Sequence, residues 1–178
     1  MNDITEIINA NRNGQARGIY AICSAHPLVI DAAIEQAKQD DTPILIEATA
    51  NQVNQFGGYT GMLPADFLEF IGKIADKHNY PRERIIAGGD HLGPVCWVNE
   101  TSEKAMAKAR DLIASYVAAG FKKIHLDTSM GCSDDPELLP DEIVAQRAAE
   151  LCEVAEKTAI ATFGKSDLVF VVGKIGRA

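Results

Sequence analysis

This 178-residue sequence lacks several features that would place it at once in a class of proteins. Its four cysteines form no CxxC pair and show no small-domain disulfide spacing, so we expect free thiols in a reducing compartment. It also lacks a basic excess, and the formal net charge of −8 argues against nucleic acid and anionic membranes as partners. What remains is an acidic chain of ordinary globular composition, 47% hydrophobic and 24% charged.

Targeting and nucleotide-binding signals are missing as well. No apolar run reaches the length that crosses a membrane, and residues 1–6 carry neither a basic region nor a long apolar stretch. We therefore expect no membrane segment, no signal peptide and a cytoplasmic location. The pattern GxGxxG is absent after the first predicted strand, where SAHP stands at residues 24–27, and this weakens a Rossmann interpretation.

Apolar runs of strand length alternate with segments of helical periodicity along the chain. The runs cover residues 18–23, 43–47, 84–87, 123–127 and 168–172. Such alternation predicts an α/β fold with a parallel sheet. Two folds fit, an open doubly wound sheet and a TIM-barrel-like (β/α) repeat, but eight barrel units need roughly 250 residues. We expect a single partial barrel domain over residues 1–178, incomplete at about five strands of eight.

Polar side chains stand at the ends of four predicted strands: His26, then Glu47, then Asp90 with His91, then Asp127. Ligands of parallel α/β folds sit at the carboxyl ends of the strands, so we expect these side chains to share one rim. An imidazole can bind a cation or carry a proton, and a neighbouring carboxylate can serve as base or ligand. Asp90 is therefore the candidate catalytic residue, and His91, Glu47 and Asp127 are candidate metal ligands.

Structural alternatives exist for several of the polar residues near the strand ends, and Glu47, for example, can satisfy backbone amides of the loop that follows it. An adjacent Asp and His can form a solvated turn, and the paired glycines before them predict a break of the third strand after Ala87. His26 can cap the helix that begins at Pro27. His125 lies on the same face of the fourth strand as Asp127, where packing or hydrogen bonding explains it.

A long polar loop, residues 48–62, follows the second strand, and ordered loops of this length are often functional. Asn51 and Gln52 carry matched donors and acceptors, which suit either sugar hydroxyls or the pinning of the loop itself. Gly57 and Gly58 permit close backbone approach, as a bound phosphate requires. Together with Ser129 after the fourth strand, these residues are the candidate substrate-binding groups.

Five segments closely resemble the non-catalytic (Z-type, GatZ/KbaZ) subunit of bacterial D-tagatose-1,6-bisphosphate aldolase. They are residues 23–27, 45–49, 51–62, 88–94 and 119–127, and the resemblance extends to about Val172. It implies a TIM-barrel-type subunit that supports the stability and full activity of a separate catalytic Y-type subunit. That partner is a zinc-dependent class II aldolase of galactitol or N-acetylgalactosamine catabolism, and its substrate is a sugar phosphate. Asp90-His91 is similar to the class II pair of proton-transfer acid and zinc ligand, so a divalent metal, zinc, is the cofactor implied.

The chain departs from the family after the fifth strand. The family continues there with Gly-Thr-Glu-Val-Pro and a glycine-rich loop, whereas this sequence reads GKIGRA over residues 173–178. A frameshift or premature stop would produce this ending and would remove the last three strands of the barrel. Three functions therefore stay open: the supporting aldolase subunit, a metal-dependent sugar-phosphate aldolase or epimerase in its own right, and a truncated fragment without function.

Overall fold

The computed structural model describes residues 3–173, in which five helices alternate with five strands. The helices are α1 (Asp3–Arg12), α2 (Pro27–Gln39), α3 (Pro64–Lys77), α4 (Ser102–Ala119) and α5 (Asp141–Phe163). The strands are β1 (Ala21–Cys23), β2 (Ile44–Thr49), β3 (Ile85–Leu92), β4 (Lys123–Leu126) and β5 (Val169–Val172). Each predicted strand is present near its predicted position.

The strands form one parallel sheet in chain order, β1-β2-β3-β4-β5. A doubly wound sheet reverses its strand order at one point, whereas a barrel adds each new strand on the same side of the last. No reversal occurs here, so the described part of the chain is a TIM-barrel-like sheet, incomplete at five strands. The prediction that the strand ends share one rim is confirmed, because all strands run in the same direction.

β3 is longer than predicted, since it continues through its two glycines to Leu92. Neither glycine has a positive φ; each instead leaves space for a neighbouring side chain. A Cβ at Gly89 would lie 2.4 Å from Leu92 Cδ1 and 3.2 Å from Tyr116 Cδ1. The prediction that the strand ends at Ala87 is wrong for this reason, and Asp90 and His91 belong to the strand.

Two of the helix ends have clear local causes. Nδ1 of His26 accepts a hydrogen bond from the backbone N–H of Leu28 at 3.3 Å, so the helix-cap interpretation of His26 is confirmed. Gly120 ends α4 in the left-handed region, with φ at 113°, which glycine adopts without steric cost.

The sheet has two faces of different character. Helices α2 to α5 cover one face, where fully buried Ile44 and Ile46 of β2 pack in a core with Phe67 of α3 and Tyr116 of α4. We call the other face the inner face, because it corresponds to the interior of a barrel. Side chains alternate along a strand, so Leu45 and Glu47 of β2 point to the inner face.

At the amino ends of the strands the inner face is apolar. Leu45 and Ile86 pack there against Ile4 of α1, and each of the three is 6% exposed. Ile8, Ile19 and Val169 contact the same small cluster. Helix α1 therefore covers the apolar lower end of the inner face, and the polar residues lie above it, toward the carboxyl ends.

None of the helices within residues 3–173 combines the length and the apolar character that a bilayer crossing requires. The expectation of an altered ending concerns residues 173–178, of which 174–178 lie outside the described residues. Residues 1 and 2, part of the segment examined for a leader, also lie outside them.

Candidate functional site

The carboxyl end of β3 brings an acid and two imidazoles together. Oδ1 of Asp90 lies 3.0 Å from Nδ1 of His91 and 3.0 Å from Nδ1 of His125 in β4. The two imidazole rings lie 4.1 Å apart between centroids. All three side chains are partly buried, with exposed fractions of 18% for Asp90, 29% for His91 and 12% for His125. We call these three residues the Asp-His group.

The backbone at His91 is strained in a way that places its ring in this group. His91 has φ at +51°, a value that non-glycine residues seldom adopt. The register between β3 and β4 shifts between Gly89 and Leu92, so a bulge surrounds Asp90 and His91. Bulges of this kind redirect side chains near functional sites. The irregular backbone therefore sends two consecutive side chains, Asp90 and His91, toward the same group.

The charge state of Asp90 follows from its neighbours. Burial acts to raise the pKa of the Asp90 carboxyl, but hydrogen bonds from His125, His91 and Cys23 outweigh it and hold the pKa below its ordinary value. A carboxylate is then the form present at neutral pH. Because an ionised carboxylate only accepts hydrogen bonds, each Nδ1 that faces Oδ1 carries a proton.

A buried ion pair lies directly below the Asp-His group on the inner face. Glu47 of β2, Gly88 of β3 and Lys123 of β4 are neighbours in register across three strands. Nζ of Lys123 lies 2.5 Å from Oε1 of Glu47, and the two side chains are only 11% and 6% exposed. Nζ also lies 3.8 Å from Oδ1 of Asp90, so Lys123 connects the pair to the Asp-His group.

Gly88 makes this ion pair sterically feasible. Three adjacent strands place the backbones of Glu47 and Lys123 roughly 10 Å apart, so their side chains must meet above the strand between them. A Cβ at Gly88 would lie 2.7 Å from Oε1 and 3.0 Å from Cγ of Glu47. The glycine is thus required for space.

The Asp-His group meets the spacing of a metal site but not its charge requirement. One possible ligand atom from each residue lies within 4.8 Å of the others, and ligands around a tetrahedral zinc lie roughly 3.3 Å apart. Against this, the Lys123 ammonium lies 3.8 Å from Oδ1 of Asp90, where its positive charge opposes a second cation. Of the predicted ligands, His91 is in the group, whereas Glu47 and Asp127 lie outside it.

The Asp127 side chain forms hydrogen bonds within the turn that follows β4. Its Oδ1 accepts hydrogen bonds from the backbone N–H of Ser129 at 3.0 Å and from the Ser129 hydroxyl at 2.7 Å. The backbone of Asp127 touches the β3 side as well, because a Cβ at Gly93 would lie 1.9 Å from its carbonyl oxygen. Asp127 and Ser129 therefore share the rim with the Asp-His group without joining it.

The long loop after β2 is held by its own polar groups. Oε1 of Gln52 accepts from the backbone N–H of Thr49 at 2.8 Å, and the Gln52 carbonyl accepts from the Thr60 hydroxyl at 2.7 Å. Oδ1 of Asn51 accepts from the Cys96 thiol at 3.3 Å. These contacts correspond to the pinning role that we considered for Asn51 and Gln52, whose binding role stays a prediction.

The loop also depends on its glycines and on one helix. Gly57 and Gly58 have φ at 100° and 56°, and a Cβ at Gly58 would lie 2.4 Å from the Gln52 carbonyl oxygen. The buried Tyr116 hydroxyl of α4 donates to the Val53 carbonyl at 2.8 Å. The glycines therefore shape the loop, and Tyr116 fastens it to α4.

Cys23 at the end of β1 also faces the site. Burial of the thiol, followed by the negative charge of Asp90, raises the pKa of Cys23 to about 12, although the residue as a whole is exposed. The thiol, and not the thiolate, is therefore present at neutral pH, so Cys23 is neither a nucleophile nor a soft metal ligand in this state.

Sequence reasoning missed two members of the site. His125 was interpreted as a packing or hydrogen-bonding residue, and the structure adds it to the Asp-His group. The sequence prediction of the site does not include Lys123. The strand period of two contains the signal, because it places Lys123, His125 and Asp127 on one face of β4.

A cavity of about 750 Å³ lies away from this site, between α3, the end of α4 and the start of β3. Four of its charged lining residues form ion pairs with each other, Arg82 with Glu69 and Lys122 with Asp167, and none of its lining residues belongs to the Asp-His group. The cavity is therefore not part of the candidate site.

An unreversed parallel sheet with polar groups at the carboxyl ends of its strands defines a class, the (β/α)-barrel proteins whose sites lie at that rim. Within the class, residues 4–175 match the model of the family described as D-tagatose-1,6-bisphosphate aldolase subunit GatZ/KbaZ-like. The chain belongs to this family, as the sequence resemblance predicted.

Two solved structures were compared with the chain. The crystal structure of a probable tagatose 6-phosphate kinase from Sinorhizobium meliloti 1021 is 53% identical, with a TM-score of 0.83 over 89% of this chain. The chain spans 39% of that protein's length. The YdjI aldolase from Escherichia coli K12 is 13% identical, over 93% of this chain and 68% of that one, with a TM-score of 0.32, which carries no argument.

Proposed function

We propose that the chain acts as part of a non-catalytic subunit of tagatose-1,6-bisphosphate aldolase. In this role it supports the stability and full activity of a catalytic class II Y-type subunit, in galactitol or N-acetylgalactosamine catabolism. The observation that carries the proposal is the family match over residues 4–175. The proposed location is the cytoplasm, in agreement with the cysteine pattern.

The contacts of the inner face agree with a supporting role. Asp90 is engaged with Nδ1 of His91 and lies near Lys123, and Glu47 is engaged with Lys123, whereas Nε2 of His91 is buried without a hydrogen-bond partner among the described residues. A catalytic base must be free to exchange a proton with substrate, and a metal ligand must offer a lone pair. Side chains that are already engaged with one another suit a rim that is retained for shape and stability.

Co-purification with the catalytic subunit tests this proposal. The rate of tagatose 1,6-bisphosphate cleavage and the half-life of activity at a fixed temperature are measured with and without this chain. We expect both to increase when the chain is present. The His91→Ala variant, once shown to be folded by circular dichroism, is the matched control and should also raise both, because a supporting role needs neither a catalytic base nor a metal ligand. An unchanged rate together with an unchanged half-life would end the proposal for this chain.

A second candidate function is metal-dependent sugar-phosphate chemistry by the chain itself, as an aldolase or epimerase. The observation in its favour is the Asp-His group, whose residues Asp90, His91 and His125 would hold a divalent cation such as zinc. When bound, such an ion supplies polarisation of a substrate carbonyl. Asn51, Gln52, Gly57, Gly58 and Ser129 are then the proposed substrate-binding groups, with Asp90 as the proposed acid or base.

The two candidates give opposite results with His91→Ala. Cleavage or epimerisation by the purified chain alone, lost in His91→Ala together with one equivalent of bound metal, would establish the second function. If His91→Ala binds as much metal as the wild type, His91 is not a metal ligand.

A further inference from the structure

The inner face of the sheet carries charged side chains at positions where (β/α) barrels usually have apolar side chains. Side chains that fill barrel interiors are mostly valine, isoleucine and leucine. In this chain Glu47 and Lys123 lie there instead, nearly buried, and a glycine separates them in the row. Burying two charges costs free energy that a well-packed apolar pair would not cost. The pair therefore calls for an explanation beyond stability.

Lys123 has two carboxylate partners, one on each side. Oε1 of Glu47 below holds its ammonium at 2.5 Å, and Oδ1 of Asp90 above lies at 3.8 Å. The same Oδ1 faces the Nδ1 atoms of both histidines at 3.0 Å. Three nitrogen groups, two imidazoles and one ammonium, thus surround one carboxylate oxygen.

We propose that Lys123 is an internal cation that takes the electrostatic place of a metal ion beside Asp90, so that the Asp-His group does not bind zinc. Glu47 holds the ammonium in position across the gap left by Gly88. The positive charge and the hydrogen bonds satisfy Asp90 without an external ligand. The inference goes beyond the support of a catalytic subunit, since it concerns what the inner face of this chain can bind.

Lys123 is then the residue that decides whether the Asp-His group binds a metal ion. Replacing Lys123 by methionine removes the opposing charge and keeps a side chain of similar length. Replacing Glu47 by glutamine at the same time avoids a buried unpaired carboxylate, because removal of both members of a buried pair is often nearly neutral. Lys123→Arg keeps the positive charge and is the conservative control.

Zinc binding by the purified full chain, measured by calorimetry, tests the proposal without any partner protein. We expect the wild type and Lys123→Arg to bind zinc no more tightly than the same proteins carrying His91→Ala. Lys123→Met and the Glu47→Gln/Lys123→Met double variant should bind one zinc at least about tenfold more tightly than the wild type. Adding His91→Ala to either variant should abolish this gain, which distinguishes the site from zinc bound by cysteines.

Two results would overturn the proposal. One is a wild-type protein that binds zinc as tightly as the double variant does and loses this binding in His91→Ala. The other is a double variant that is folded by circular dichroism and gains no affinity. If Lys123→Met alone does not fold, the double variant decides. Failure of the supporting function would appear only in the assay with the catalytic subunit, so the two failures are distinguishable.

Discussion

Strand alternation buries side chains at both ends of the inner face, but the lower end buries apolar side chains and the upper end buries charged ones. At the lower end, Leu45 and Ile86 pack against Ile4 of α1 and are 6% exposed. At the upper end, Glu47 and Lys123 are similarly buried but charged. Two residues along β2 therefore separate a hydrophobic row from an ionic one. The comparison shows that the fold does not require charge at this depth, so the ionic row serves another purpose.

The largest expected effect comes from breaking the ionic row on one side. Lys123→Met should lower the free energy of unfolding by about 3–5 kcal/mol, because it leaves the Glu47 carboxylate buried and unpaired. Denaturant unfolding followed by circular dichroism measures the change. The Glu47→Gln/Lys123→Met double variant should recover most of the loss. A single variant as stable as the wild type would contradict the ionic description of this row.

The hydrophobic row should respond somewhat less and without rescue. Leu45→Ala removes buried methyl groups beside Ile86 and Ile4, and we expect a loss of about 2–4 kcal/mol. The same unfolding measurement applies, with exposed Leu28→Ala as the matched control, since Leu28 is 72% exposed. Equal effects at the two leucines would show that α1 does not cover the inner face as described.

A smaller effect should come from the glycine inside the ionic row, between Glu47 and Lys123. Gly88→Ala places a Cβ 2.7 Å from Oε1 of Glu47, so the carboxylate must move from Lys123. We expect a loss of about 1–3 kcal/mol. Gly18→Ala is the control, because no atom lies within 4 Å of a Cβ there. A crystal structure of Gly88→Ala with the ion pair intact would refute the spatial role of this glycine.

The smallest effect should be a pH dependence confined to the upper row. Burial raises the pKa of Asp90, and the hydrogen bonds from His125, His91 and Cys23 lower it further than burial raises it, to below 3.8. The stability that Asp90 contributes is therefore complete above pH 3.8 and is lost as pH falls through its folded-state pKa. Unfolding free energy measured in acid should fall less steeply in Asp90→Asn. Parallel curves would exclude Asp90 as a contributor.

The parallel sheet and the shared rim were predictable from the sequence because they follow from alternation, whereas the unreversed strand order is not fixed by alternation, which also fits a doubly wound sheet. Apolar runs such as that at β2 are buried on both faces, and parallel strands place Glu47, Asp90 and Asp127 at one edge. The rule that paired glycines break a strand predicted the wrong end for β3. Glycines usually interrupt strands, but Gly88 and Gly89 are accommodated here by side chains from other parts of the chain.

Which residues form the site was only partly predictable, because several of its contacts join residues on different strands. Asp90 and His91 are adjacent in the sequence, so their proximity is evident. The meeting of Asp90 with His125, and of Glu47 with Lys123, depends on register and on the bulge in β3, which no local pattern reveals. Contacts between residues far apart in sequence needed the structure.

Tyr116 has a consequence for how the rim can move. Its ring belongs to the core under the sheet, while its hydroxyl donates to Val53 in the long loop after β2. The loop is thereby coupled to α4, the helix that also packs against β3. Because this hydrogen bond anchors the loop to the core, we expect the loop to hold its position, so that a ligand at this side of the rim would have to fit the existing loop conformation.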